Sequence, residues 1–104
     1  MNQREIDWGQ VPTNLLEGFE QFHSDNPHVY RSLVDLTREG KESGRKRLGI
    51  AMLFNVLRWN RMLATQGEPF KLNNNYQPFY SRLIEERNPD CRGIFSKRKA
   101  LADY

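Results

Sequence analysis

The stretch from Arg45 to Arg98 constrains the fold most. It contains, in this order, a long apolar segment, a turn, a second helical segment and a basic end. The apolar segment runs from Leu48 to Leu63, and a Gly/Pro turn at residues 66–69 interrupts it. Three asparagines, residues 73–75, then open an amphipathic segment. This order is typical of a winged helix-turn-helix. We therefore predict a mainly α fold: a single domain of about four helices with a small β element.

The first two helices are predicted from apolar residues at helical spacing. Thr13 is a cap candidate for the first, which we expect over about residues 14–24. Asn26-Pro27 then supplies a cap and a proline at the first helical position, where its missing N–H costs nothing. The second helix is expected to end near Gly40, where a flexible basic connection begins.

The third and fourth helices form the predicted helix-turn-helix. The third runs from residue 50 or 51 to Leu63, and its apolar residues cover more than one face, which is typical of the central helix of a domain. Pro78 fits the first turn of the fourth helix, with Asn74 or Asn75 as its cap. Residues 88–90 contain a proline and are expected to end that helix.

Short segments with β-like patterns complete the prediction. They are residues 48–50, residues 70–72, and residues 93–99, the last as an edge strand or hairpin arm. A chain of 104 residues is large enough for one modest core. The expected organisation is an irregular arm at 1–12, the winged-helix-like domain at 13–99, and a loose end at 100–104.

Cysteine usage and hydropathy bear on the compartment. Cys91 is the single cysteine, so no internal disulfide can form and nothing requires an oxidising compartment. We find no signal-peptide pattern in the first thirty residues and no window approaching eighteen apolar residues. We therefore expect a cytoplasmic protein without a membrane partner.

The charge is polarised along the chain. The net charge is +3. Residues 1–26 hold one basic and five acidic residues, whereas the remainder holds 15 basic and 8 acidic ones. A polyanion would bind the basic part.

The opening of the fourth helix is the strongest candidate site. In a helix-turn-helix, the N-terminal residues of the second helix contact base edges in the major groove. Amide side chains pair bidentately with adenine, and arginine pairs with guanine or phosphate. The predicted DNA-binding residues here are Asn74, Asn75, Gln77, Ser81 and Arg82. The alternative is that the asparagines serve only as turn and cap residues.

Two basic clusters flank this helix and are predicted to hold phosphates. They are Arg45-Lys46-Arg47 and Lys97-Arg98-Lys99. The alternative is a solvated charged face. Arg58 and Arg61 lie on the exposed side of the long helix. They either keep this apolar helix in contact with water or complete the phosphate-facing surface, and we slightly favour the first role.

Enzymatic chemistry is not favoured. His23 and His28 straddle a predicted helix break, so they lack the spacing of a metal site on one helix face, and with Asp25 and Asp35 they form no nucleophile–base set. Glu85, Glu86 and Asp90 are interpreted as a solvated helix end, and Cys91 as a small buried apolar residue. We predict no enzyme, no cofactor and no metal.

Residues 70–76, with Phe79 to Ile84, Pro89-Asp90 and Gly93 to Phe95, resemble a pattern of small phage- and prophage-encoded proteins of undefined function. The resemblance covers roughly the half of the chain from Arg45 onward. It implies a mobile-element setting, the cytoplasm of a bacterial host and a compact winged-helix-like domain. It supplies no catalytic residue.

The predicted function is that of a small regulatory or accessory protein that binds duplex DNA, and a dimer would cover two half-sites. The first alternative is a protein-interaction factor that docks on a host or phage protein without touching nucleic acid, through aromatic residues such as Trp8, Tyr76, Tyr80 and Tyr104. The second is RNA binding, with Tyr76 and Tyr80 as stacking platforms.

Overall fold

The computed structural model describes residues 13–64 and 71–95. This part of the chain holds four α-helices, which are α1 (Thr13–Asp25), α2 (Pro27–Glu42), α3 (Ile50–Ala64) and α4 (Gln77–Arg87). Single 3₁₀ turns lie at Asn74–Tyr76 and Pro89–Cys91. The prediction of a mainly helical fold with four helices is confirmed. The predicted arm at 1–12 and loose end at 100–104 lie outside the described residues.

Asn26 is the one residue between α1 and α2. Pro27 opens α2 as predicted, because a proline at this position sacrifices no helical hydrogen bond. The Asn26 side chain does not cap α2. Its Nδ2 instead donates to the Phe22 carbonyl at 3.0 Å. Asn26 therefore occupies the predicted N-cap position of α2, but its side chain bonds to the end of α1 instead of capping α2.

The core lies where α4 packs against α2 and α3. α4 buries Phe79, Tyr80, Leu83 and Ile84, two adjacent pairs one helical turn apart. α2 contributes apolar side chains and one buried hydroxyl, that of Thr37, which donates to the Leu33 carbonyl at 2.7 Å. Burial of this extent makes α4 the central helix.

α3 departs from its predicted central role. Its inner face buries Leu53, Phe54 and Leu57. Four large apolar side chains remain exposed, at 53% for Met52, 58% for Trp59, 43% for Met62 and 59% for Leu63. The apolar residues beyond one face therefore lie on the surface.

The β element consists of a single parallel bridge between Leu48 and Phe95. The Leu48 amide donates to the Ile94 carbonyl at 2.8 Å, and the Phe95 amide donates to Glu85 Oε2 at 2.9 Å. Ile50 begins α3, and no strand forms within residues 13–64 and 71–95. The predicted strands at 48–50 and 93–95 are thus reduced to one bridge, while 96–99 lie outside the described residues.

None of the four helices combines the length and the apolar character that crossing a membrane requires.

Tyr80 gives a stability prediction. Its ring is fully buried, and its hydroxyl has no hydrogen-bond partner among the described residues. A buried, unsatisfied polar group costs about 1–3 kcal/mol. We expect Tyr80→Phe to raise the free energy of unfolding by about 1 kcal/mol in urea denaturation. The control is Tyr30→Phe, which should destabilise, because the Tyr30 hydroxyl accepts from Asn88 Nδ2 at 3.0 Å. A loss of stability in Tyr80→Phe would mean that the hydroxyl has a partner.

Candidate nucleic-acid interface

The three asparagines before α4 form a capped 3₁₀ turn. Asn73 Oδ1 accepts from the Asn75 amide at 2.8 Å, and the Tyr76 amide donates to the Asn73 carbonyl at 3.0 Å. The turn leads directly into α4 at Gln77. The prediction that Asn74 or Asn75 caps the fourth helix is therefore wrong, because Asn73 caps the 3₁₀ turn and the N-cap residue of α4, Tyr76, makes no side-chain capping bond. Residues 73–75 are all exposed, so the amide-rich end of α4 lies at the surface.

Arg58 of α3 ties this turn to the body of the domain. Its Nη2 donates to the Leu72 carbonyl and to Asn74 Oδ1, both at 2.6 Å, and its Nη1 donates to Asn55 Oδ1 at 2.9 Å. The guanidinium also lies 5.8 Å from the centroid of the Phe54 ring. We call Arg58, Leu72 and Asn74 the Arg58 clamp. Its acceptors are neutral oxygens, so the positive charge of Arg58 is held in place without being neutralised.

The clamp limits which amide can read a base. Asn74 Oδ1 also accepts from Gln77 Nε2 at 3.1 Å, so both of its lone pairs are occupied. Bidentate pairing with adenine needs a free donor and a free acceptor on one amide. Asn74 would have to break a clamp contact to supply them. The Asn75 side chain is exposed and makes no hydrogen bond to a described residue, so it is the better placed amide.

An open groove of about 580 Å³ lies beside the clamp. Its lining residues are Phe22, Arg58, Lys71, Leu72, Asn73 and Tyr76. Two of them are cations, two are aromatic, and none is a carboxylate. The Phe22 and Tyr76 rings are 5.5 Å apart and tilted by 41°. The groove therefore combines positive charge with partly exposed aromatic rings at the N-terminal end of α4.

The outer side of α4 changes character along its length. Arg82 is exposed, and Ser81 is half-buried with its hydroxyl donating to the Pro78 carbonyl at 3.1 Å. One turn further, Glu85 accepts from the Phe95 amide. The carboxylate of Glu85 thus anchors the segment that follows α4.

All three residues of the basic linker, Arg45-Lys46-Arg47, are exposed. It begins where the Arg45 amide donates to the Gly40 carbonyl at 3.2 Å, and it ends at Leu48 in the bridge to Phe95. Its three side chains make no ion pair with described residues. The linker is therefore held at both ends while its cations face solvent.

The basic linker and the amide-rich turn lie toward opposite ends of α4. The bridge that ends the linker contacts Glu85, eight residues after Gln77. At 1.5 Å per residue this is about 12 Å along the helix axis. Lys97, Arg98 and Lys99 lie outside the described residues, so their place relative to either group stays a prediction.

Two other cations near the linker, Arg38 and Lys41, share one carboxylate. Arg38 of α2 donates to Asp90 and, at 2.8 Å, to Asn88 Oδ1, while Lys41 Nζ lies 3.9 Å from Asp90. The hydrogen bond from Arg38 is the main cause that lowers the pKa of Asp90. Asp90 is thus committed to an ion pair.

The histidines are part of the packing. The His23 ring is stacked 5.8 Å from Phe19 and meets Tyr30 edge-on at 5.6 Å. Burial, assisted by Arg87, lowers the pKa of His23, and burial is also the largest cause that lowers the pKa of His28. Residues 13–64 and 71–95 contain no group of three metal-binding side chains. Cys91 is buried, which raises the pKa of its thiol.

No protein-family model, curated protein or solved structure matches this chain. The resemblance to phage-encoded proteins therefore stays a prediction.

The structure corrects the aromatic residues of both alternative functions. Tyr80 is fully buried, so it can neither stack on a base nor contact a partner. Tyr76 is half-buried in the wall of the groove. Trp8 and Tyr104 lie outside the described residues.

Proposed function

We propose that this domain binds duplex DNA, with the N-terminal end of α4 directed at a groove and the basic linker on the phosphate backbone. Glu85, which contacts the bridge at the end of the linker, lies about 12 Å along α4 from Gln77, a length comparable to the width of the B-DNA major groove. A helix end in the groove with a basic loop at its rim is a common arrangement in helix-turn-helix proteins. In this proposal residues 93–99 act as the wing, with Lys97, Arg98 and Lys99 on phosphates.

The observation that carries the proposal is the distribution of uncompensated positive charge. Arg58 and Lys71 line a groove without a carboxylate, and the linker cations form no ion pair with described residues. Asp90, in contrast, is paired with α2 cations. Phosphate contacts require only surface cations and supply most of the affinity for DNA. Asn75 and Arg82 would then contact base edges, in a regulatory or accessory role.

Replacing Arg45, Lys46 and Arg47 together by alanine tests the proposal. Each phosphate contact contributes about 0.9 to the slope of log K against log salt, so three lost contacts should flatten the slope by about 2.7. The affinity at about 100 mM salt should fall roughly tenfold to hundredfold. Fluorescence anisotropy with a labelled duplex across a salt series measures both quantities.

The matched control is Arg31→Ala, which removes an exposed cation from α2 away from the linker. It should leave the salt slope unchanged. An unchanged slope in the triple variant would remove the linker from the interface. Competition between duplex DNA and single-stranded RNA separates the proposal from RNA binding.

The alternative function is docking on another protein, and the exposed apolar residues of α3 favour it. The absence of DNA binding by the unaltered protein at low salt would support this alternative over DNA binding.

A further inference from the structure

The outer face of α3 carries an apolar stripe that no described element covers. Trp59 and Leu63 are more than half exposed, as is Met52, and Val56 is half-buried between them. Soluble domains rarely expose contiguous apolar patches of this kind without an interaction to cover them. We call Met52, Val56, Trp59 and Leu63 the α3 seam. It is separate from the groove beside the Arg58 clamp.

The spacing of the seam is that of a coiled coil. The steps between successive residues are four, three and four, so the residues fall on alternating d and a positions of a heptad. Such a stripe is narrow and nearly straight, and it fits the matching stripe of another helix. The seam is therefore shaped for a helical partner.

We infer that the partner is α3 of a second copy of this chain, packed antiparallel about a two-fold axis. In this arrangement a and d positions face each other. Met52 meets Leu63 of the second copy, and Val56 meets Trp59 of the second copy. The first layer then pairs two side chains of similar size, and the second pairs the small Val56 with the large Trp59. A parallel pairing would set Trp59 against Trp59 and Val56 against Val56, with one layer crowded and the other underfilled.

The flanks of the seam also suit a second copy. The neighbouring positions are Asn55, Asn60 and Met62, and none carries a charge. Two copies with a net charge of +3 each repel one another at long range, but an uncharged contact face brings no like charges together. Salt should therefore leave this association unchanged or strengthen it, whereas salt weakens binding to DNA.

The contact that the seam can form is small. The seam spans twelve residues, from Met52 to Leu63, or about 16 Å of helix. Five partly exposed apolar side chains per copy, counting Met62, correspond to a total buried area on the order of 1,000 Å², the lower limit of specific interfaces. We expect a dissociation constant in the range of about 1–100 μM. This dimer does not depend on DNA binding, but it would present two copies of the proposed interface to two half-sites.

Sedimentation velocity of the DNA-free protein, from about 1 to 500 μM, tests the inference. The unaltered protein should show a monomer–dimer equilibrium. Trp59→Glu should raise the dissociation constant at least tenfold, because it sets a carboxylate against Val56 of the second copy. The control Ser24→Glu adds the same charge at an exposed position of α1 and should leave the equilibrium unchanged.

A mixed experiment tests the antiparallel register. Trp59→Glu and Val56→Lys should each self-associate more weakly than the unaltered protein, but a mixture of the two should form a heterodimer more readily than either does alone, with one Glu–Lys layer and one native layer. A parallel pairing offers no such layer, so failure of the mixture to associate would overturn the register. A monomer at the highest concentration, or a dimer that Trp59→Glu leaves intact, would overturn the inference.

Discussion

Replacing Phe19 by alanine is expected to lower the free energy of unfolding by about 3–5 kcal/mol, the largest effect we expect from a single substitution. Phe19 is the only α1 side chain buried among those described. Its ring centroid lies 4.9 Å from that of Phe79 and 4.9 Å from that of Tyr80, one stacked and the other edge-on. The substitution would remove these contacts, together with those to the rings of His23 and Tyr76, and leave a cavity beside α4.

Urea denaturation followed by circular dichroism measures this loss. Domains of this size are stable by about 5–15 kcal/mol, so the variant should unfold at much lower urea concentration. Phe22→Ala is the control, because Phe22 is half-buried and lies at the groove. It should cost clearly less than Phe19→Ala. A loss below about 1 kcal/mol for Phe19→Ala would show that other contacts hold α1 in place.

The helices could be predicted from sequence because their signals are local. Pro27 and Pro78 mark the starts of α2 and α4 to within one residue. The side chain that caps the turn before α4 is that of Asn73 rather than the predicted Asn74 or Asn75, and the sequence cannot separate these three neighbours because they have the same chemistry. Local signals therefore fix where helices lie better than they fix which side chain ends them.

Burial and pairing could not be predicted in the same way. Periodicity shows that α3 is apolar over more than one face, but not whether another element of the same chain covers each face. The outer face of α3 is exposed in the structure. The pairing of Leu48 with Phe95 joins segments 47 residues apart, so the β-like composition of each did not reveal a single bridge.

The residue types of the candidate site could be predicted from the sequence, but the contacts that join these residues could not. Asn74 was predicted to read bases, yet its side-chain oxygen is taken by Arg58, which is 16 residues away in sequence. Lys71 was not predicted as a site residue, although it lines the same groove. No sequence signal pairs an arginine with a distant amide, since both residues are common on surfaces. Lys71 lies two residues before the capping Asn73, and this position is the only indication in the sequence that Lys71 belongs to the site.

Arg58→Met is expected to weaken both the fold around the turn and the proposed DNA interface. The side chain donates three hydrogen bonds, of which the one to the Leu72 carbonyl is partly buried. The other two acceptors are exposed side-chain oxygens that water can satisfy. We therefore expect a loss of about 1–3 kcal/mol in the free energy of unfolding, measured by urea denaturation. Affinity for duplex DNA should fall roughly tenfold and the salt slope by about 0.9.

Arg58→Lys separates the two roles of this residue. Lysine keeps the charge but lacks the planar guanidinium whose two terminal nitrogens together reach three acceptors here. Its stability should therefore fall almost as far as that of Arg58→Met, while its salt slope should stay at the value of the unaltered protein. If both variants kept the original slope, Arg58 would hold the turn without facing phosphate, and the positive side of the interface would consist of the basic linker. If both variants lowered the salt slope equally, the position of the amide-rich turn, and with it Asn75, would govern binding more than the charge of Arg58 does.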